Sequence, residues 1–183
     1  DINVFGKRSG RNAVEYVQTA DFVPLPEDPA KEVREMLEGL RNNQGTERIA
    51  VLRKTLQEEM DANAQVFRTE ETLTSVLGTI HDLRQRYKNV HVDDKGKRFN
   101  TDLLEAVELG FLLDLAEILV VGALERKESR GGHAREDYQA RDDVNFMRHT
   151  MAYRHVSENG DATVRLDYKP VVVTRYQPME RKY

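Results

Sequence analysis

Three apolar-periodic segments follow one another between residues 46 and 123, and the short connectors between them favour antiparallel helical neighbours. Thr46 can cap a helix that carries Ile49, Leu52, Leu56, Met60 and Val66 along one face. Thr69 can cap the next, with Leu73, Val76, Leu77, Ile80, Leu83 and Tyr87 in register. After the turn DDKGK, Asp93 to Lys97, a longer helix starts near Asn100 or Thr101 and runs through Ala123. Its apolar face, with Leu104, Phe111, Leu115 and Leu119 among others, is wider than those of its neighbours. That width predicts a central member covered on several sides.

The flanks read differently. Ile2 to Val17 reads as a helix, with Gly6, Ser9, Gly10 and Ala13 at spacings of three and four that let a neighbouring backbone come close. ADFVPLPEDP, Ala20 to Pro29, is a proline-rich connector and the expected internal boundary. Asp28-Pro29 then reads as N-cap and first helical residue of a helix that ends between Asn42 and Gly45. Beyond Asp143 the period drops to two. Thr150 to Val156 and the alternating Val164, Leu166, Tyr168 predict a hairpin turned at Asn159-Gly160, and Val171 to Val173 a further extended run. The expected fold is mainly α: an antiparallel three-helix bundle, preceded by a helix and followed by a loop and a small β-hairpin tail. Three regions are expected, at residues 1–20, 21–127 and 128–183.

Composition limits function by exclusion. A net charge of −4 gives no general reason to bind nucleic acid or anionic lipid. The absence of cysteine removes disulfides, thiolate metal sites and cysteine nucleophiles. The five histidines form no HxxxH or HExxH pair, so no metal site is expected. GKRSG, Gly6 to Gly10, lacks the Lys-Ser/Thr of a phosphate loop, and close packing explains it better. Leu103 to Leu124 is the longest apolar stretch, but Glu105, Glu108, Asp114 and Glu117 interrupt it, so it reads as a buried helix rather than a membrane span.

The stretch ESRGGHAREDYQARDD, Glu128 to Asp143, sets three arginines, one histidine and five acids around a Gly-Gly pair at a helix end. Two readings fit it. Arg130, His133 and Arg135 can cap the last carbonyls and the negative end of the helix dipole, with Gly131-Gly132 turning the chain. Alternatively the arginines form a buried polar network neutralised by Glu128 and Asp137. Composition leaves both open.

ESRGGHAREDY, followed by RDDVNFMRHTMAY, resembles the C-terminal region of the flavoprotein subunits of succinate dehydrogenase and fumarate reductase. That family carries ESRG, a small residue, then H-x-R-x-D, and later RDD-x-N-aromatic-x-x-HT. RFNTDLLEAVELGFLLDLAE (Arg98–Glu117), VFRTEETL (Val66–Leu73), the closing ERKY and the opening DINVFGKRSG agree with it as well, so the resemblance runs along nearly the whole chain. Gly132 stands where the family usually has alanine.

The resemblance implies a C-terminal helical domain whose first helix and tail belong with a large FAD-binding domain. The complete subunit would carry FAD, usually linked to a histidine, and oxidise succinate to fumarate by hydride transfer to the flavin. Electrons would pass to an iron–sulfur subunit and, through membrane anchor subunits, to quinone. Such a complex is peripheral on the cytoplasmic or matrix face of its membrane. The dinucleotide fingerprint and the catalytic residues would lie upstream of Asp1, so no catalytic residue and no activity are expected of this chain alone. Asp1 and Ile2 would lie nearest the flavin edge. Arg130, His133, Arg135, Asp137 and Arg181, with the terminal carboxylate of Tyr183, would brace the wall beside the active site. Fumarate reductase shares nearly every motif, and L-aspartate oxidase resembles the helical domain and the ESRG turn. The H-x-R-x-D continuation and the R-x-Y ending favour the dehydrogenase over L-aspartate oxidase. An autonomous helical adaptor is the non-enzymatic alternative.

Overall fold

The computed structural model describes residues 2–157 and 162–179. The elements in chain order are α1 (Ile2–Val17), α2 (Lys31–Asn42), β1 (Glu47–Arg48), α3 (Ile49–Asn63), β2 (Phe67–Arg68) and α4 (Glu70–Tyr87). They are followed by β3 (Val90–His91), α5 (Thr101–Glu125), β4 (Ala134–Arg135), α6 (Asp143–Phe146), β5 (Arg148–Val156) and β6 (Ala162–Pro170). The chain separates into two compact units, Asp1–Met36 and Leu37–Tyr183.

In the first unit α1 ends where Thr19 and Ala20 donate their N–H groups to Tyr16 O. A Cβ added at Gly6 or Gly10 would meet nothing within 4 Å. α2 begins two residues later than the sequence suggests. The Asp28 carboxylate accepts from the Arg34 guanidinium rather than capping the backbone, and Pro29 falls in the turn before the helix.

The second unit is an antiparallel bundle of α3, α4 and α5. Leu52 and Leu56 of α3, Leu73, Val76, Ile80 and Leu83 of α4, and Leu109, Leu113 and Val120 of α5 form its core. Each such side chain contributes about 1.5–3 kcal/mol on burial. Two caps follow the sequence. Thr69 Oγ1 accepts from Thr72 N in a reciprocal capping box, and Asn100 Oδ1 accepts from Leu103 N at 2.7 Å.

Thr46 does not cap α3. Glu47 and Arg48 pair in parallel with Val90 and His91, which delays the helix to Ile49, and Thr46 Oγ1 accepts from Asn89 Nδ2 instead. The chains meet so closely there that a Cβ at Gly45 would lie 1.9 Å from Asn89 O. Val66 falls outside α3 and is exposed.

α5 is apolar on all sides, and α3 and α4 cover only one of them. Ala106, Leu109, Leu113, Ala116 and Val120 face the core, whereas Leu104, Phe111 and Leu115 are 55%, 56% and 63% exposed. The expected central member is therefore a helix with one bare apolar side. The width of its stripe reports two faces, only one of which meets α3 and α4. No helix is long and apolar enough to cross a membrane among the described residues.

The hairpin is longer than expected, pairing Arg148 with Pro170 through to Val156 with Ala162. Its Asn159-Gly160 turn lies outside the described residues, and Val171 to Val173 forms no strand. Arg154 of β5 reaches Asp114 of α5 at 3.1 Å, and Tyr168 of β6 donates to Glu125 Oε1 at 2.7 Å. These contacts lay the hairpin against α5, the support that an isolated two-stranded ribbon needs.

Candidate functional site: the charged loop at the end of α5

α5 ends at Glu125 with its last carbonyls lacking helical partners, the usual condition of a helix end. Arg135, almost wholly buried, supplies them. Its Nη1 donates to Ala123 O at 2.8 Å and to Leu124 O at 3.2 Å. The other edge of the same guanidinium grips Asp137, Nε to Oδ1 and Nη2 to Oδ2, both at 2.7 Å. Asp137 Oδ2 in turn accepts from Glu70 N at 2.8 Å, at the first turn of α4.

The cation thus sits at the negative end of one helix dipole and the anion at the positive end of the next. The Arg135 fork, reinforced by that backbone N–H, pulls the Asp137 carboxyl down to about 2. Phe67 and Arg68 pair in parallel with Ala134 and Arg135, which fixes the loop against the start of α4.

Glu128 anchors the other half. It is fully buried and takes four donors: Arg126 Nη1 at 2.6 Å, Arg130 Nε at 2.8 Å, Arg130 Nη2 at 3.0 Å and Asp142 N at 2.7 Å. Burial pushes this carboxyl upward, but Arg130, the Asp142 amide and Arg126 outweigh it and hold the group below the ordinary glutamate range. Arg130 continues to Asp143 Oδ1 at 2.6 Å, and Arg126 to Phe146 O, Arg148 O and Thr150 Oγ1. One buried carboxylate therefore ties the end of α5 to α6 and to the first residues of β5.

Between the two halves the chain reverses at Gly131-Gly132, where Arg130 and His133 exchange backbone hydrogen bonds. Gly131 has φ +60°, the left-handed conformation that glycine adopts without strain. Gly132 has no such φ and its Cβ direction is open, so an alanine fits there.

His133 bridges the turn to β2. Its Nδ1 lies 3.1 Å from Arg68 Nη1, and its Nε2 lies 2.9 Å from Arg126 O. Arginine can only donate, so Nδ1 accepts and Nε2–H donates, which fixes a neutral tautomer. Burial lowers the imidazole from its ordinary value, and Arg68, Arg135 and Arg126 add to the effect against the hydrogen bond to Arg126 O.

The two readings that composition left open are therefore joined: the loop caps α5, and it does so through a buried network. The structure brings Arg130, His133, Arg135 and Asp137 together within it. Ile2 opens α1 in the other unit, and Asp1, Arg181 and Tyr183 lie outside the described residues. Arg126 and Arg68, which the sequence did not single out, carry as much of the network as Arg130, His133, Arg135, Asp137 and Glu128. One signal was available: Glu128/Arg130 and Arg135/Asp137 are opposite charges two residues apart, which share a side in extended chain.

The chemistry that this loop supports is positioning. Arg126, Arg130, Arg135 and Arg141 are bound to Glu128, Asp137 and Asp143, and His133 has both nitrogens engaged. Among the described residues no group of three His, Asp or Glu could hold a metal ion. GKRSG lies inside α1, where its amides serve the helix rather than a phosphate cradle.

The family model described as fumarate reductase flavoprotein C-term matches residues 53–183. The fumarate reductase flavoprotein subunit of Haemophilus influenzae is 37% identical over 185 residues, covering 100% of this chain and 30% of that protein. The succinate dehydrogenase flavoprotein subunit of Rickettsia conorii is 39% identical over 191 residues, covering 100% of this chain and 31% of its own length. Among solved structures, Escherichia coli quinol fumarate reductase superposes with a TM-score of 0.85 at 36% identity, over 97% of this chain and 30% of that one. The chain thus spans about three-tenths of the length of these relatives.

Proposed function

Since the chain belongs to the family of C-terminal regions of fumarate reductase and succinate dehydrogenase flavoprotein subunits, we propose that it is the scaffolding portion of such a subunit. In this reading the reaction is oxidation of succinate to fumarate, and FAD is held, covalently, by a flavin-binding portion of the same polypeptide. The observation that carries the scaffolding role is the internal satisfaction of the buried network: Glu128 alone receives four donors, and Arg130, His133 and Arg135 are all engaged within the chain.

The loop then acts as a rigid buttress. Arg130, His133, Arg135 and Asp137, joined by Arg181, hold the wall of the flavin and dicarboxylate pocket, while Asp1 and Ile2 approach the flavin edge. Electrons leave for an iron–sulfur subunit and, through membrane anchors, for quinone, with the subunit peripheral on the cytoplasmic or matrix face.

Fumarate reduction is the second reading. It is favoured by the equal standing of the two kinds of relative, at 37% and 39% identity over the whole chain. Assays of the full-length polypeptide in both directions, with succinate and a dye acceptor or with fumarate and a reduced dye, separate the two.

The buttress is tested by Arg130→Ala in the same polypeptide. Reduced covalent flavin with unchanged helical circular dichroism is expected. Unchanged flavin content and turnover would remove the role.

A further inference from the structure

Arg148 opens β5 with its guanidinium stacked on Tyr168, 3.4 Å from the ring centroid. Tyr168 is itself fixed by its hydroxyl bond to Glu125. Stacking sets the plane of a guanidinium and leaves its N–H edge available for hydrogen bonds in that plane. Among the described residues no acceptor meets that edge: Nε is buried without a partner, and neither a hydrogen bond nor an ion pair reaches the two terminal nitrogens.

Among the described residues, the other two arginines with a buried, unpaired Nε differ. Arg53 and Arg84 also leave Nε unpaired, but Arg53 lies 3.3 Å from Glu108, and Arg84 lies 2.6 Å from Asp114 and 2.5 Å from Glu117. Arg126 and Arg130 are committed to Glu128 and Asp143.

Arg148 borders a cleft of about 500 Å³, lined also by Arg126, Arg130, Phe146, Thr150 and Val171, with no acid on its walls. Thr150 Oγ1 accepts from Arg126 Nη2, which leaves its hydroxyl hydrogen free to donate.

We propose that this cleft binds a carboxylate group, taken by the edge of the Arg148 guanidinium with the Thr150 hydroxyl beside it and the apolar part of the ligand against Phe146 and Val171. A planar two-oxygen anion matches the guanidinium fork, and a single negative charge matches the single cation left without a carboxylate on the cleft wall. The carboxylate has two sources, a side chain from elsewhere in the polypeptide or a free carboxylic acid. The inference rests on Arg148 and its surroundings, and it stands whether or not the chain scaffolds a flavin site.

The test uses the full-length polypeptide, crystallised without carboxylate buffers and then transferred to sodium acetate. A side-chain carboxylate on Arg148 before the transfer identifies the first source. Acetate on Arg148 only after the transfer, lost in Arg148→Met, identifies the second. With that second source, acetate also slows phenylglyoxal modification of Arg148 in solution relative to chloride at equal ionic strength, read by peptide mass spectrometry. An edge that meets only water or chloride in both crystals overturns the proposal, as does acetate that stays in place in Arg148→Met or leaves the phenylglyoxal rate unchanged. The wild-type crystal pair decides even if Arg148→Met does not fold.

Discussion

Arg135 and Asp137 face each other edge to edge at 2.7 Å on both hydrogen bonds, and between them they close the C-terminal end of α5 and the N-terminal end of α4. A pair two residues apart in sequence thereby fastens two helices whose facing ends carry opposite partial charge.

Arg135→Met should remove the donor for Ala123 O and Leu124 O and leave Asp137 without its partner, at a cost of about 1–3 kcal/mol in urea unfolding. Arg135→Lys keeps the charge but not the fork, and should recover only part of that loss. A change below about 0.5 kcal/mol for Arg135→Met, the range of ordinary surface substitutions, would show that the pair is dispensable.

Acid should weaken the protein through Asp137. Its carboxyl is held at about 2 against an ordinary 3.8, so the folded state binds fewer protons than the unfolded one. The contribution, screened by solvent at this exposed carboxylate, is present above roughly pH 4 and is lost as pH falls toward 2. In Asp137→Asn the slope of stability against pH over that range should flatten.

His133 gives a second window. Its lowered folded-state value means that protonation favours the unfolded chain, so its contribution is present above the ordinary 6.5 and is lost as pH falls below it. His133→Gln should abolish the part of the stability loss that begins near pH 6.5. Titration of the His133 ring protons by NMR checks the direction.

Glu128→Gln should be severe although it changes one atom. Arg126 and Arg130 would face a neutral amide, and two of the four donors to the site would meet an NH₂ group. A loss of about 3–5 kcal/mol is expected, with the hairpin more exposed to hydrogen exchange than the α3–α5 core, because Arg126 also holds Arg148 O and Thr150.

Gly110 lies under Tyr87, whose hydroxyl donates to Ala106 O at 2.9 Å, and an added Cβ would sit 2.8 Å from the tyrosine hydroxyl oxygen. Gly110→Ala should cost about 1–3 kcal/mol, and should cost less in a Tyr87→Phe background, where the clashing atom is gone. Equal costs in both backgrounds would show that the tyrosine is not what Gly110 accommodates.

The bundle was legible because its signals are local: Thr69 and Asn100 cap within three residues, and Leu73 to Leu83 recur at helical spacing. What escaped depends on partners distant in the chain. Thr46 reads as a cap, yet Glu47–Arg48 pairs with Val90–His91, and no periodicity reveals a two-residue parallel contact. α5 reads as central because an all-round apolar helix looks the same whether one side or every side is covered. In the loop the charged residues were plain to see, but the alternation of Glu128 with Arg130 and of Arg135 with Asp137 states only that partners exist. That Glu128 would be fully buried follows from the arrival of Arg126 and the Asp142 amide, which local sequence does not encode.

The pairing of Phe67–Arg68 with Ala134–Arg135 also sets an order of events. Arg135 needs a finished α5 terminus, and Asp137 needs the first turn of α4 beside it, so neither contact can form until the two helices have already zipped together. The charged turn is therefore expected to form late in folding, so its substitutions should speed unfolding far more than they slow refolding, as φ-values measured at Arg135 and Asp137 would check.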